Sequence, residues 1–374
     1  MKMLLPALAV LSSTAMAADM KFNVEGRFDY GSSKVKHENT TAASSYEDKR
    51  GEFYSNVIRL NSVFTINESL SGRFRYRFST GGATQDRDLS WQNLDMMYVD
   101  HKNQWFTSRI GKHNQVESLG REYFTSGTDY PVEAGTGAVV SYGSMNSGVY
   151  NLVKTDADLY HVGYSAIYTA LQGHTFTVSA FNPARGAYSD TATTGDDAKN
   201  TKTAWGAYYN GSFLDGLVQP TLGYTSFGLN GKTDATTSPD STNKLMAVGV
   251  RSVVAGFTID ADWKQYKREN TAANPTATST TEDKTTSYWA NVAYTWDNLT
   301  PSFNYIHDKY DAVSTTATDY KRDAWALTLA IKPMKDVNFR YHVGYSHDVK
   351  KNAVTTGDTK ITGNMMFAGI KFDI

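Results

Sequence analysis

The most constraining feature is a two-residue alternation that runs to the last residue. Met365 to Ile374 reads MMFAGIKFDI. Met366, Ala368, Ile370, Phe372 and Ile374 fall on one face of an extended chain. Met365, Phe367, Gly369, Lys371 and Asp373 fall on the other, because successive side chains of a strand point to opposite sides. One face is apolar and the other ends in charge. Such a strand needs an apolar medium on one side and water on the other.

The same alternation recurs through nearly the whole chain, in pairs of segments joined by tight turns. The first segment is 21–30, with Phe22, Val24 and Phe28 opposite Glu25, Arg27 and Asp29. The turns read Asn67-Glu68-Ser69-Leu70, Lys102-Asn103, Leu171-Gln172-Gly173, Leu214-Asp215-Gly216, Ala255-Gly256, Asp297-Asn298 and Met334-Lys335-Asp336. The pairs are separated by longer stretches rich in Thr, Ser, Asp, Asn and Gly, such as 190–201 and 269–284. About 16 strands result. An even count, short turns at one end and long loops at the other describe a closed transmembrane barrel. The first strand would pair with the last, leaving no bare edge in lipid. The expected fold is therefore an all-β, antiparallel transmembrane β-barrel of about 16 strands.

Composition fits. Tyr (24), Phe (17) and Trp (7) are plentiful and Pro is scarce at 8, as strands and interfacial aromatic girdles require. No stretch approaches the roughly 20 apolar residues of a spanning helix. There is no cysteine, which removes disulfides, thiolate metal sites and cysteine nucleophiles. A net charge of -1 offers no basic field for nucleic acid. The N-terminus has Lys2, an apolar run from Leu4 to Leu11, and Ala15-Met16-Ala17. That reads as a secretory signal peptide over residues 1–17, followed by one barrel domain over 18–374.

The sharpest local pattern is Gly72-Arg73-Phe74-Arg75-Tyr76-Arg77-Phe78. The aromatics belong toward lipid, where a charge costs roughly 2–4 kcal/mol at the midplane. Arg73, Arg75 and Arg77 are thereby sent inward. Arg59 on the preceding strand joins them, and Arg27 and Arg109 point into the same space. The stretch from His113 to Gly135 is long, partly apolar, and carries Glu117, Glu122, Asp129 and Glu133. Folded into the lumen, it would set acids opposite the arginines and narrow the passage, giving a transverse field that sorts solutes.

These features resemble the trimeric general diffusion porins of Gram-negative bacteria: a GRFDYG first strand, Arg109-Ile110-Gly111-Lys112 before a long loop, and a closing amphipathic strand. One departure is that the family usually ends in an aromatic, whereas Ile374 ends this chain, two residues after Phe372. The resemblance implies an outer-membrane homotrimer in contact with lipid and lipopolysaccharide, passing small hydrophilic solutes and ions. In it Arg59, Arg73, Arg75 and Arg77 match the basic ladder, and the four acids occupy the position of the constriction loop. Three rival readings stand beside it. The channel could be selective for an anion or another substrate. The barrel could be a non-conducting adhesin. The arginines could merely brace against Glu25, Asp29 and Asp95. No HExxH or GxSxG motif occurs, so neither an enzyme nor any cofactor or metal is expected.

Overall fold

Residues that alternate apolar and polar can satisfy their backbone in lipid only by pairing all round, and this chain does so. The computed structural model describes residues 19–39, 45–79, 94–114, 119–122, 131–136, 139–144, 146–156, 160–182, 201–229, 240–271, 280–312, 319–351 and 358–374. The expected signal peptide and the loop acids Glu117 and Asp129 lie outside them.

Five strands come first: β1 (Asp19–Asn39), β2 (Tyr46–Thr65), β3 (Leu70–Ser79), β4 (Leu94–Lys102) and β5 (Phe106–Asn114). A short hairpin, β6 (Pro131–Thr136) with β7 (Val139–Ser144), and a helix, α1 (Gly148–Asp156), follow. Eleven more strands complete the wall: β8 (Tyr160–Tyr168), β9 (His174–Phe181), β10 (Thr201–Gly211), β11 (Val218–Leu229), β12 (Asp240–Val254), β13 (Phe257–Thr271), β14 (Thr280–Tyr294), β15 (Leu299–Ala312), β16 (Tyr320–Ile331), β17 (Asn338–Lys351) and β18 (Asp358–Asp373). The sixteen wall strands form one closed antiparallel sheet; β6 and β7 form a separate one.

The seam is made by the alternating terminal strand. Val24 and Ile374 exchange backbone hydrogen bonds of 2.6 and 3.0 Å. Phe372 faces outward over Gly26, where any Cβ would strike its ring, and stacks 6.4 Å from Phe28. Outward residues such as Met366, Leu327 and Val178 are more than half exposed, which lipid makes favourable. The tight turns use the expected chemistry. Asn67 and Asn103 side chains each accept two backbone N–H groups. Ala255 and Gly256 both take positive φ, 48° and 84°, the pattern of a two-residue hairpin.

The wall is uneven. β3, β4, β5, β8 and β9 have 8 to 10 residues, whereas β1 and β2 have 21 and 20. The short strands lie side by side in the ring, so among the described residues that flank is lower than the rest.

Candidate functional site

The segment between β5 and β8 folds inside the barrel. Its first part and α1 lie against the inner wall of β9–β14. Leu119, Val149, Tyr150 and Val153 pack on Phe181, Phe227, Leu245 and Tyr266, which point inward from β9, β11, β12 and β13. These inward aromatics are thus a covered core and not an exposed track. Ser147 caps α1: its Oγ accepts the Tyr150 N–H at 3.3 Å. The β6–β7 hairpin approaches the opposite side, against β17, β18 and β1.

Ion pairs fasten this segment to the wall. On β13, Asp260, Asp262 and Lys264 share one face because they are two residues apart. Asp262 accepts the backbone N–H groups of Arg121 (2.8 Å) and Glu122 (2.6 Å). Close approach there needs Gly120, at φ +75°, and Gly249: a Cβ on either would meet the Asp262 carboxylate. The Glu122 carboxylate accepts the Ser147 N–H (2.6 Å) and Oγ–H (2.7 Å) and pairs with Lys264. Arg121 reaches Asp260 at 3.4 Å, and Asp260 also holds Arg251 bidentately at 2.7 and 3.1 Å. Burial and the nearby Arg251 pull Arg121 below the ordinary arginine pKa, and Asp260 opposes that. Asp308 on β15 receives the first N–H of α1 at 2.9 Å, as an acid at a helix N-terminus should. Arg322 on β16 ties Asp308 to Asp348 and to the Asn146 carbonyl.

The arginines occupy the other side. In the ring of sixteen, β13 is eight steps from β3 in either direction, so the two strands face each other. Arg59 and Arg77 are cross-strand neighbours on the inner face, as are Asn61 and Arg75. The register slips by one between β3 and β4, placing Asp95 at the bulge. Its carboxylate meets three guanidinium groups: Arg59 at 3.1 Å, Arg75 at 3.2 Å and Arg77 at 3.1 Å. Arg59 also pairs with Glu25 at 3.2 Å, and Arg73 donates to Asn61 at 3.1 Å. Arg27 is held by Asp29 at 2.7 Å, which His342 also contacts. Arg109 is bidentate to Asp100 (2.8 and 2.9 Å) and lies 4.1 Å over the Tyr98 ring. Arg27, Lys371 and Arg340 follow one another in register across β1, β18 and β17.

All six arginines singled out in the sequence thus share the inner face. Among the described side chains, Glu25, Asp29, Asp95 and Asp100 meet them from the wall. Glu122 departs from the expected picture: it sits across the barrel, but fully buried, with its charge spent on Lys264. Glu133 lies on β6, where only the backbone is described. Asp262, Lys264, Asp308 and Arg322 escaped the sequence reading. The signal for the first two was Asp260-Ala261-Asp262-Trp263-Lys264, three charges on the inward face of one strand.

Comparison with known proteins decides the family. A profile described as Gram-negative porin matches residues 5–362. The chain belongs to that family. It is an outer-membrane porin, a water-filled barrel for passive diffusion of small hydrophilic solutes. Solved structures share the architecture at low identity. The outer membrane channel DcaP of Acinetobacter baumannii matches at 14% identity and a TM-score of 0.63, covering 96% of this chain and 97% of that one. The anion-selective porin from Comamonas acidovorans matches at 14% and 0.62, covering 96% and 100%. OmpT of Vibrio cholerae, solved in a trimer form, matches at 14% and 0.60, covering 96% and 100%. No curated protein sequence matches. Family and fold point to a channel rather than an enzyme.

Proposed function

We propose that this porin is an unspecific diffusion pore whose field-bearing zone lies between the β2–β3 arginines and the inward-folded segment, weighted toward anions. One observation carries the reading. Arg59, Arg75 and Arg77 converge on the one carboxylate of Asp95, Arg59 also pairs with Glu25, and Arg73 stands beside them on Asn61. Across the barrel, Arg121, Arg251, Lys264 and Arg322 are tied to Glu122, Asp260, Asp262, Asp308 and Asp348. Arginine is thus gathered on one side of the passage, and acid-rich pairing on the other. A unit charge about 10 Å from an ion in water is worth roughly 0.4 kcal/mol, a factor of about 2 in partition. Such a field biases passage without creating a tight site, and the protein performs no chemical step. Reversal potentials in a salt gradient test this: the wild type is expected to favour chloride, and a cation-preferring wild type would overturn it.

Residues 1–17 are proposed to direct export, with the barrel following. The low flank at β3–β9 supports assembly as a homotrimer. Nine residues tilted by about 45° rise only about 21 Å, less than the roughly 25 Å apolar band. A second copy placed there would cover the shortfall; lipid and lipopolysaccharide would cover the tall flank. Chemical cross-linking of detergent-extracted protein should give a ladder ending at three.

A further inference from the structure

One inward row of the wall is a chain of matched charges that ends in an unmatched one. Lys264, Ser287, Asp308, Arg322, Lys350 and Ile361 follow one another in register from β13 round to β18. Lys264 holds Glu122 and Asp262, and Arg322 joins Asp308 to Asp348. Lys350 comes next and, among the described residues, meets no carboxylate within ion-pair distance. Its Nζ instead lies 4.1 Å over the centre of the Tyr320 ring. Burial and the neighbouring Arg322 pull Lys350 below the ordinary lysine pKa, against the opposing pull of Asp348 and Asp308.

The next inward row toward the long loops is aromatic. It carries Tyr266, Thr285, Tyr310 and Tyr320 from β13 to β16. Tyr310 and Tyr320 stack, with ring centroids 5.1 Å apart and planes at 20°. Since β15 and β17 flank β16, Tyr320 stands between Tyr310 and the Lys350 ammonium. On the far side of Lys350, Ile361 is directly opposed on β18 and packs with Val35. A single cation is thus flanked by stacked rings on one side and an apolar side chain on the other.

This group lies in the outer vestibule. The outward aromatics Tyr305, Trp325 and Tyr345 belong to the girdle that marks a membrane boundary. Tyr310, Tyr320 and Lys350 lie five residues beyond them on β15, β16 and β17. Five residues of a strand tilted by about 45° rise about 12 Å. The group is therefore clear of lipid, at the long-loop mouth of the passage. An ammonium set over a ring is held by the ring quadrupole, and its N–H donors suit a carboxylate. One positive charge balances a monoanion, while the rings and Ile361 favour a flat apolar body. An aromatic monocarboxylate meets both demands.

We infer that Lys350, Tyr310 and Tyr320 form an entry subsite for aromatic monocarboxylates at the long-loop mouth of the pore. The carboxylate sits on Lys350 Nζ and the ring lies along the Tyr310–Tyr320 pair. The inference rests on the diffusion-pore reading and adds a solute class to it. Single-channel recording of the purified full-length protein in potassium chloride tests it, with benzoate and, separately, acetate titrated into the bath. Benzoate is expected to interrupt the current, and acetate to need about 10-fold more for the same block. Lys350→Gln should weaken the benzoate block about 10-fold, whereas Lys350→Arg, which keeps the charge, should retain it. Tyr310→Leu with Tyr320→Leu should bring benzoate down to the acetate level. Equal block by benzoate and acetate in the wild type would overturn the subsite, as would an undiminished benzoate block in Lys350→Gln. Wild-type channels that conduct but are never interrupted by benzoate overturn the subsite alone. A protein that forms no channel strikes the reading beneath it.

Discussion

Two inner walls face each other and handle charge in opposite ways. On β13–β16 the inner charges Asp260, Lys264, Asp308 and Arg322 are matched by partners on the inward-folded segment or on a neighbouring strand, and Asp260, Glu122, Lys264 and Asp308 are fully covered. On β2–β3 three arginines crowd round one bulge aspartate, and Arg77 keeps a side-chain exposure of 23%. The first wall is a fastening and the second is a field. Buried pairs resist disruption because losing one partner strands the other in a medium of low polarity. Clustered like charges retain an outward potential that passing ions can sense.

The largest effect should come from unfastening. Lys264→Met leaves Glu122 and Asp262 close together in a buried site with no cation between them. Breaking a buried pair by removing one member costs about 3–5 kcal/mol. That is enough to release the segment without opening a sixteen-strand sheet. Single-channel conductance should rise and become noisy while heat-modifiability on gels stays normal. An unchanged, quiet conductance would mean that the fastening does not set the passage. Glu122→Gln together with Lys264→Met should restore most of the quiet behaviour.

Next in size is Asp95→Asn. Its carboxylate is the common counter-charge for Arg59, Arg75 and Arg77, so its loss removes one negative charge from the cluster. Chloride preference should increase by about 2-fold. Thermal stability should fall as well, because three guanidinium groups lose their shared acid. A shift toward cations would remove the cluster from the conduction path. Arg75→Ala should move selectivity the other way by a similar factor, with little change in stability, since Asp95 retains two arginines.

Why the barrel was legible and the fastening was not follows from what each depends on. The lipid imposes a period of two on every segment it touches, and each strand core could be placed from that period. The strands were read too short at their outer ends. β14 begins at Thr280, inside the 269–284 stretch read as a connection, and β18 begins at Asp358, not Met365. Beyond the membrane both faces meet water, so alternation fades while backbone pairing continues. The arginine face was legible for the same reason as the strands: Phe74, Tyr76 and Phe78 claim the lipid. The interior segment has no such external rule. Whether Glu122 meets Arg75 or Lys264 depends on contacts about 140 residues apart in sequence, and no local period encodes them. The short hairpin and α1 were read as loop. Ser147 before Gly148-Val149-Tyr150 was the one local hint of a helix start.

The smallest expected effect is the most discriminating between the walls. Arg251→Ala deletes the same unit charge as Arg75→Ala, from the facing side. Arg251 is held bidentately by Asp260, whose side chain is fully buried and also touched by Arg121. Removing it hands Asp260 to Arg121, so the pair charge falls but the remaining acid stays covered. The reversal potential should move by clearly less than it does in Arg75→Ala, and a modest loss of thermal stability should dominate. Equal shifts in the two variants would mean that both walls project their charge into the passage alike. Position in the ring, and not the state of pairing, would then decide what an ion feels.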